Sequence, residues 1–504
     1  MTEGRNIAME ASGRPDIIVV GGGAAGCVVA RRLVESTDAS ILLLEAGPDL
    51  RRDTPADHHD AWRLPTPPDW GLESEPNATG ASTKLRRGRL LGGTSWFTRF
   101  AVRGAPADFD GWAEAGSPGW GFDDVLPAFR RIEADAEFGR DPWHGDLGPV
   151  PITRYPDLPR SPIHEAALEA LTALGIPTVD DHNRPGATGV GPMPMNSRDG
   201  TRVTTADAYL APDGQLADLA IRPDCEVDRL VMDAGRVTGV RLVDGTVIAA
   251  DRVVLAAGTY GSPTILMRSG IGPAEHLAAV GVTVQVDLPG VGSNLADHPG
   301  VDLDSGWRGR GATGPVLHSI ATLRTSSSPS AAPDLMYWVS DPTGDDPRLY
   351  FDPILLKPIA RGTVRLRSAT PGDPPRIKLP DPSEPADVDR LVDGYLRGIE
   401  LANRPEVQRH TSGKAPTDPG THDARRRIVL ENAYSIPHVV GTCRMGPSAD
   451  HGDVVDAVGR VHGVAGLMVA DASVIPDAPS GFPHIIAIML AEHLTSRWSG
   501  ECGV

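Results

Sequence analysis

Four β-branched residues, Ile17-Ile18-Val19-Val20, run directly into Gly21-Gly22-Gly23-Ala24-Ala25-Gly26, and a second apolar run, Ile41 to Leu44, ends on Glu45. No other feature restricts the fold of this chain as strongly. A short apolar run bounded by glycine reads as a parallel strand buried on both faces. Gly21 permits a tight turn, Gly23 lets the backbone approach a pyrophosphate, and Gly26 allows the next helix to pack closely on the strand. That helix is expected over Ala24 to Glu35, with its positive N-terminal end facing the phosphates. Glu45, with Ala46 beside it, stands at the tip of the second strand. A carboxylate there accepts hydrogen bonds from an adenosine ribose and repels a 2′-phosphate, which disfavours NADP. The spacing predicts a β-α-β unit that holds a dinucleotide.

The rest of the chain is read against that unit. Its 504 residues suffice for two large domains, and 40% apolar with 23% charged residues is ordinary for a globular protein. A net charge of −18 argues against nucleic acid or an anionic membrane as partner. Cys27, Cys225, Cys443 and Cys502 are scattered, with neither a disulfide framework nor metal-ligand spacing, so no metal site is expected. Met1 to Pro15 is polar, without the apolar centre of a signal peptide, and is expected to be disordered. The longest apolar stretch, Ile485 to Ala491, is too short for a membrane span. A soluble cytoplasmic protein is expected.

Downstream patterning predicts a helical stretch over Phe109 to Glu133 and a helix over Ala166 to Leu174. A β-meander is expected over Val227 to Leu230, Val237 to Leu242 and Thr246 to Ala249. Arg252 to Ala257 reads as another buried strand, followed by Gly258 and a helix. Residues 50–90 read as extended loops over the cofactor, and residues 305–332 as a mobile loop. Leu335 to Val339, Ile354 to Ile359 and Gly362 to Arg367 read as strands of one separate antiparallel sheet, and Val388 to Ala402 as a helix. Leu467 to Ala470 and a helix from Ile485 to Trp498 return to the α/β pattern.

Gly258-Thr259-Tyr260-Gly261-Ser262-Pro263-Thr264-Ile265-Leu266-Met267-Arg268-Ser269-Gly270-Ile271-Gly272 resembles a signature of the glucose–methanol–choline (GMC) flavin oxidoreductases. Asp287 to Gly292, Asn294-Leu295 and Asp297-His298-Pro299 continue the resemblance, with His298 expected to cap a loop. The resemblance implies an α/β fold, α+β overall. A discontinuous Rossmann-type FAD-binding domain (14–150, 201–303, 455–504) would join a substrate domain (151–200, 304–454) built on an antiparallel sheet flanked by helices. A second family segment is kept in part, as Gly92-Gly93-Thr94-Ser95-Trp96-Phe97-Thr98-Arg99-Phe100. Phe97 stands where some members carry a histidine bonded to the flavin, which implies non-covalent FAD. Thr98 replaces an asparagine that helps position the flavin, and Arg99 replaces a small residue. Arg99 is expected either to meet an acidic substrate or reduced flavin, or to be a salt-bridged surface arginine. By resemblance the FAD contacts also include Arg89, Val227, Ala257, Gly258, Asp471, Ala472, His484 and Ile485.

Ser435-Ile436-Pro437-His438 to Gly446 resembles the family's active-site segment, and His484 falls on the second catalytic position. Alcohol oxidation needs a base for the hydroxyl proton while a hydride leaves the carbon, and histidine is suited to that near neutral pH. The resemblance therefore implies an alcohol oxidase or dehydrogenase of the EC 1.1 class, with His438 as base and His484 holding the oxygen. Its partners would be a small alcohol and an electron acceptor, either oxygen, a quinone or another carrier. Hydroxynitrile lyases of the same family, which keep FAD without net redox chemistry, are the alternative, as is a flavoprotein without catalysis of its own.

Overall fold

The computed structural model describes residues 14–54, 58–76, 80, 82–210, 216, 218–303, 315–328, 330–341, 351–411 and 415–501. Ile17–Val20 and Ile41–Leu44 are four-residue strands with every residue buried, as uninterrupted apolar runs require. They lie at the centre of a five-stranded parallel sheet in the order Leu219–Arg222, Ile41–Leu44, Ile17–Val20, Arg252–Leu255 and Leu467–Val469. The helix Ala24–Ser36 packs on the last helix, Pro483–Glu501, so the two ends of the sequence meet over one sheet. The β-meander Val227–Asp233, Arg236–Leu242 and Val247–Ala249 packs against Arg252–Leu255 and the helix Gly258–Arg268. This is the Rossmann-type architecture that the glycine-rich turn demands.

A second, six-stranded antiparallel sheet runs in the order Ala433–Ser435, Pro299–Val301, Pro353–Leu355, Leu335–Ser340, His318–Leu323 and Val190–Pro192. The period of two along Leu335–Ser340 divides its side chains between two cores. Leu335, Tyr337 and Val339 pack under the helices Pro162–Ala173 and Pro385–Ala402, whereas Met336 and Trp338 face Ile320, Ile354 and Phe482. Trp338 is thereby delivered to the side where the two sheets meet.

Three segments depart from the sequence reading. His318–Leu323, expected within a mobile loop, is an interior strand paired on both sides. Its apolar signal is only His-Ser-Ile-Ala-Thr-Leu, too mixed to stand out from its Ser-rich surroundings. Thr363–Arg365 pairs with Arg376–Lys378 in a ladder of its own and does not join the larger sheet. The stretch from Phe109 is two helices, Pro106–Glu114 and Phe122–Ile132, because Gly116 and Gly119 adopt positive φ between them. Of the expected mobile loop, residues 305–314 and 329 lie outside the described residues, as do the first thirteen of the fifteen residues expected to be disordered. Among the described residues no helix is long and apolar enough to cross a membrane.

One buried network ties the helix Phe122–Ile132 to its surroundings. His144 Nδ1 lies 3.1 Å from Glu133 and 3.2 Å from Asp135, and its Nε2 lies 2.9 Å from Asp181. Arg154 bridges Asp135 at 2.9 Å and Asp181 at 2.7 Å, and Arg103 pairs with Glu133.

Candidate active site

Between the sheets lies a cavity of about 790 Å³, walled at one end by the glycine-rich turn and at the other by two histidines. At the first end, Gly21 has φ +97°, and a Cβ there would stand 2.6 Å from the Ala256 carbonyl oxygen. A Cβ on Gly26 would stand 1.8 Å from the Gly21 carbonyl oxygen, so helix and turn close on each other only with glycine. Gly23 differs, because a Cβ there would meet nothing within 4 Å. Its backbone borders the open cavity at the start of the helix Ala24–Ser36. The Glu45 carboxylate is held by the Gly22 amide at 2.8 Å and the Gly47 amide at 2.9 Å. Each carboxylate oxygen can accept from more than one donor, so the ribose contact expected of it stays open.

Gly21, Gly23, Ala24, Ala25, Glu45, Ala46, Gly93, Thr94, Thr98, Arg99, Val227, Ala257, Gly258, His438, Asp471, Ala472 and His484 all line this one cavity. Segments more than 450 residues apart in sequence are thus brought together. Asp471 accepts from the Gly258 amide at 2.9 Å and from Ser262 Oγ at 2.6 Å, which fastens the end of strand Leu467–Val469 to the start of the helix Gly258–Arg268. Four expected residues stand behind the wall. Gly26 and Gly92 shape turns, and Ile485 is buried in the core. Arg89 pairs with Glu226 at 3.1 Å while its guanidinium lies over Trp70. Residues 50–90, expected as loops over the cofactor, supply Leu64, Trp70 to Leu72 and Arg86 to Gly88, and the strand Leu335–Ser340 supplies Trp338. Gly372 to Pro375 also line the cavity, where no sequence pattern marked them.

The histidine end is built by a loop packed on a helix start. His438 lies against Phe482, ring centroids 4.8 Å apart, and Phe482 packs on Trp338 and Phe100. The sequence reading left His298 as a loop cap. In the fold it is fully buried and its Nδ1 lies 3.0 Å from Nδ1 of His438. Its Nε2 lies 2.9 Å from the Pro479 carbonyl oxygen, which can only accept, so Nε2 carries the proton. His298 Nδ1 is then an acceptor, and His438 must donate to it from Nδ1. This fixes the tautomer of His438 with its lone pair on Nε2, the state a proton acceptor needs. Asp297 clamps the pair by accepting from the backbone amides of His298 at 2.8 Å and His438 at 2.7 Å, and from the Ser435 hydroxyl. The only sequence sign of this arrangement was the adjacency Asp297-His298; the contact spans 140 residues.

Burial keeps the two histidines neutral. It holds His438 well below the usual histidine range, assisted by repulsion from His298 and Arg87. Burial and the nearby Arg202 bring His484 down to about 4, and burial lifts Asp297 to about 6. His484 Nε2 and Thr98 Oγ1 are buried without a partner in the protein. Orphaned polar atoms on a cavity wall are costly unless a ligand completes them. The open Gly23 cradle, the Glu45 carboxylate and these orphans fit a dinucleotide whose reactive end lies beside the histidines. Phe97 lines the same cavity.

Comparison with known proteins agrees with this layout. The chain matches the GMC oxidoreductase family over residues 15–300 and again over 358–491. It is 33% identical to a 5-(hydroxymethyl)furfural oxidase from Methylovorus sp. (strain MP688), covering 95% of this chain and 97% of that one. It is 34% identical to choline oxidase from Arthrobacter globiformis over 95% of this chain and 93% of that one. Among solved structures, pyridoxine 4-oxidase from Mesorbium loti superposes with a TM-score of 0.87 at 31% identity, over 96% of this chain and 99% of that one. Matched in both halves and covered almost throughout by relatives at about a third identity, the chain belongs to the GMC oxidoreductase family.

Proposed function

We propose that this chain oxidises an alcohol to an aldehyde or ketone, using non-covalently held FAD, with His438 as the base. GMC oxidoreductases are FAD flavoproteins, and the chain's own residues fit that group. The adenosine side would be held by Gly21, Gly23, Ala24, Ala25, Glu45 and Ala46, and the remainder by Gly93, Thr94, Thr98, Val227, Ala257, Gly258, Asp471 and Ala472. Bound FAD supplies the two-electron acceptor, and oxygen, a quinone or another carrier then takes those electrons. The observation that carries the reading is the His298–His438 relay. It leaves a neutral His438 with an available Nε2 lone pair at the wall of the cavity.

An aliphatic hydroxyl is far less acidic than any side chain, so the proton must be accepted as charge develops on oxygen. His438 accepts it. The cation so formed is stabilised through Nδ1–H donation to His298, which in turn donates to Pro479. His484 Nε2, which has no protein partner, binds the same oxygen and holds its position. The reaction is assigned to the cytoplasm, where buried free thiols such as Cys27 and Cys443 stay reduced.

The test is anaerobic mixing of the purified flavoprotein with primary, secondary and aryl alcohols. Bleaching of the flavin band supports alcohol oxidation, and admitting air then shows whether oxygen is the acceptor. A bound flavin that no alcohol bleaches, together with cleavage of a cyanohydrin, would favour the lyase reading. Purified protein that holds no flavin would sink both.

A further inference from the structure

Arg99 is a charged group of the cavity wall that this reaction leaves unused. Its guanidinium carbon lies 5.1 Å from the Phe100 ring centroid, and Phe100 meets Phe482, the ring that packs on His438. A layer of aromatic side chains thus separates a cation from the base. Arg99 Nη1 donates to the Arg63 carbonyl at 3.2 Å and Nη2 to His318 Nε2 at 3.0 Å, while Nε has no partner. Among the described residues no carboxylate lies within the 4.0 Å of an ion pair with it. The surface salt bridge that the sequence left open is therefore absent among these residues. Asp60 is the nearby acid, but its carboxylate takes the Trp62 amide at 2.8 Å and pairs with Arg63 at 3.4 Å.

The His318 contact is a weak tether. Its Nδ1 faces the Trp338 indole N–H at 3.1 Å, and burial keeps the ring neutral. A neutral imidazole has one lone pair, so it serves only one of these two donors at a time. Arg202, fully buried, donates to the carbonyls of Trp96 and Arg63 and adds positive charge near the half-buried Arg99. Burial lowers the Arg99 guanidinium to about 10, which leaves it charged at neutral pH. A half-buried cation with no counter-ion among the described residues is costly, and at a cavity wall a ligand can supply the missing anion.

We propose that the alcohol substrate carries a carboxylate on a flat aromatic body, with Arg99 receiving the carboxylate and Phe100, Trp338 and Phe482 gripping the ring. This deepens the alcohol-oxidation reading and rests on it. A planar guanidinium with spare N–H groups matches a carboxylate, and the ring stack at 20° between Trp338 and Phe482 offers a face to a planar body. A cationic alcohol such as choline is repelled at the same place.

The experiment compares 4-(hydroxymethyl)benzoate with 4-methylbenzyl alcohol in anaerobic stopped-flow reduction of the flavin-loaded chain. The readout is the ratio of their second-order bleaching rates within each variant. In the native chain the carboxylate substrate is expected to lead by roughly tenfold to a hundredfold, the range for one charge-assisted contact. Arg99→Leu is expected to bring the ratio near one, and Arg99→Lys to restore part of it. A native ratio near one, or a ratio untouched by Arg99→Leu, overturns the proposal while leaving alcohol oxidation standing. If neither compound nor any other alcohol bleaches the flavin, the oxidation reading itself has failed. Should the variants not fold, benzoate against benzamide titrated into the native flavoprotein decides: benzoate must perturb the flavin spectrum at tenfold lower concentration, and equal binding sinks the idea.

Discussion

The network around Arg154 and the histidine end of the cavity both bury polar, charge-capable side chains, yet they treat them in opposite ways. Around Arg154, both nitrogens of His144 face carboxylates, and Asp135 and Asp181 each meet a cation. Glu133, Asp135 and His144 bring three metal-ligand-type atoms within 4.8 Å of one another, but Arg103 and Arg154 already occupy the carboxylates. At the cavity, His438 and His484 are neutral, and among the described residues Nε2 of His484 has no partner and Arg99 has no carboxylate in ion-pair reach. Mutual satisfaction makes the first region a fastening. Unmet hydrogen bonds make the second a binding place, because a ligand gains what the protein leaves undone.

The largest effect expected from breaking this contrast is chemical. His438→Ala should slow flavin reduction by about a hundredfold to ten-thousandfold, the span for a general base, with little change in flavin content. Rapid-mixing absorbance checks it; near-native reduction would remove His438 from the mechanism. Next is structural. Arg154→Leu leaves Asp135 and Asp181 buried with one cation fewer and should cost about 3–5 kcal/mol of stability, read as a lowered denaturant midpoint. His298→Phe keeps the packing but removes the acceptor that sets the His438 tautomer. Reduction should fall roughly tenfold to a hundredfold, with alcohol affinity moving far less. A change confined to affinity would show that the relay does not serve the base.

The two regions should also answer pH differently. His438 acts when neutral, so log kcat/KM rises with pH to its pKa and levels off above. That pKa is depressed, so the acid limb should lie below 6.5. Asp135 and Asp181 are held below their ordinary range by His144 and Arg154, whereas His144 is held above its own. The depressed carboxylates contribute stability above about pH 4 that is lost as pH falls through their folded pKa. The raised histidine contributes stability below about pH 6.5 that is lost as pH rises through its folded pKa. Unfolding of the native chain should therefore show a mid-pH maximum that Arg154→Leu and His144→Leu flatten. Unchanged profiles in both variants would show that this network does not govern the acid side.

The dinucleotide end was legible in the sequence because its chemistry is local. A strand, a glycine turn, a helix start and an acid at the next strand tip stand within thirty residues, and each residue type answers a steric or charge requirement of its own position. The meander was legible for the same reason: Ala234 and Gly235 both adopt positive φ in a two-residue turn. What the chain fixed by itself was thus the fold class, the nucleotide-binding turn and the histidine positions suited to base chemistry. Only the tertiary structure decided what stands around those histidines. His298 reaches His438 across 140 residues, Arg99 lies against Phe100 and His318 with no ion-pair partner among the described residues, and Trp338 is delivered by a strand whose neighbour, His318–Leu323, carried no clear signal. Burial, tautomer and charge compensation depend on which distant groups share a volume, and a one-dimensional pattern does not encode that.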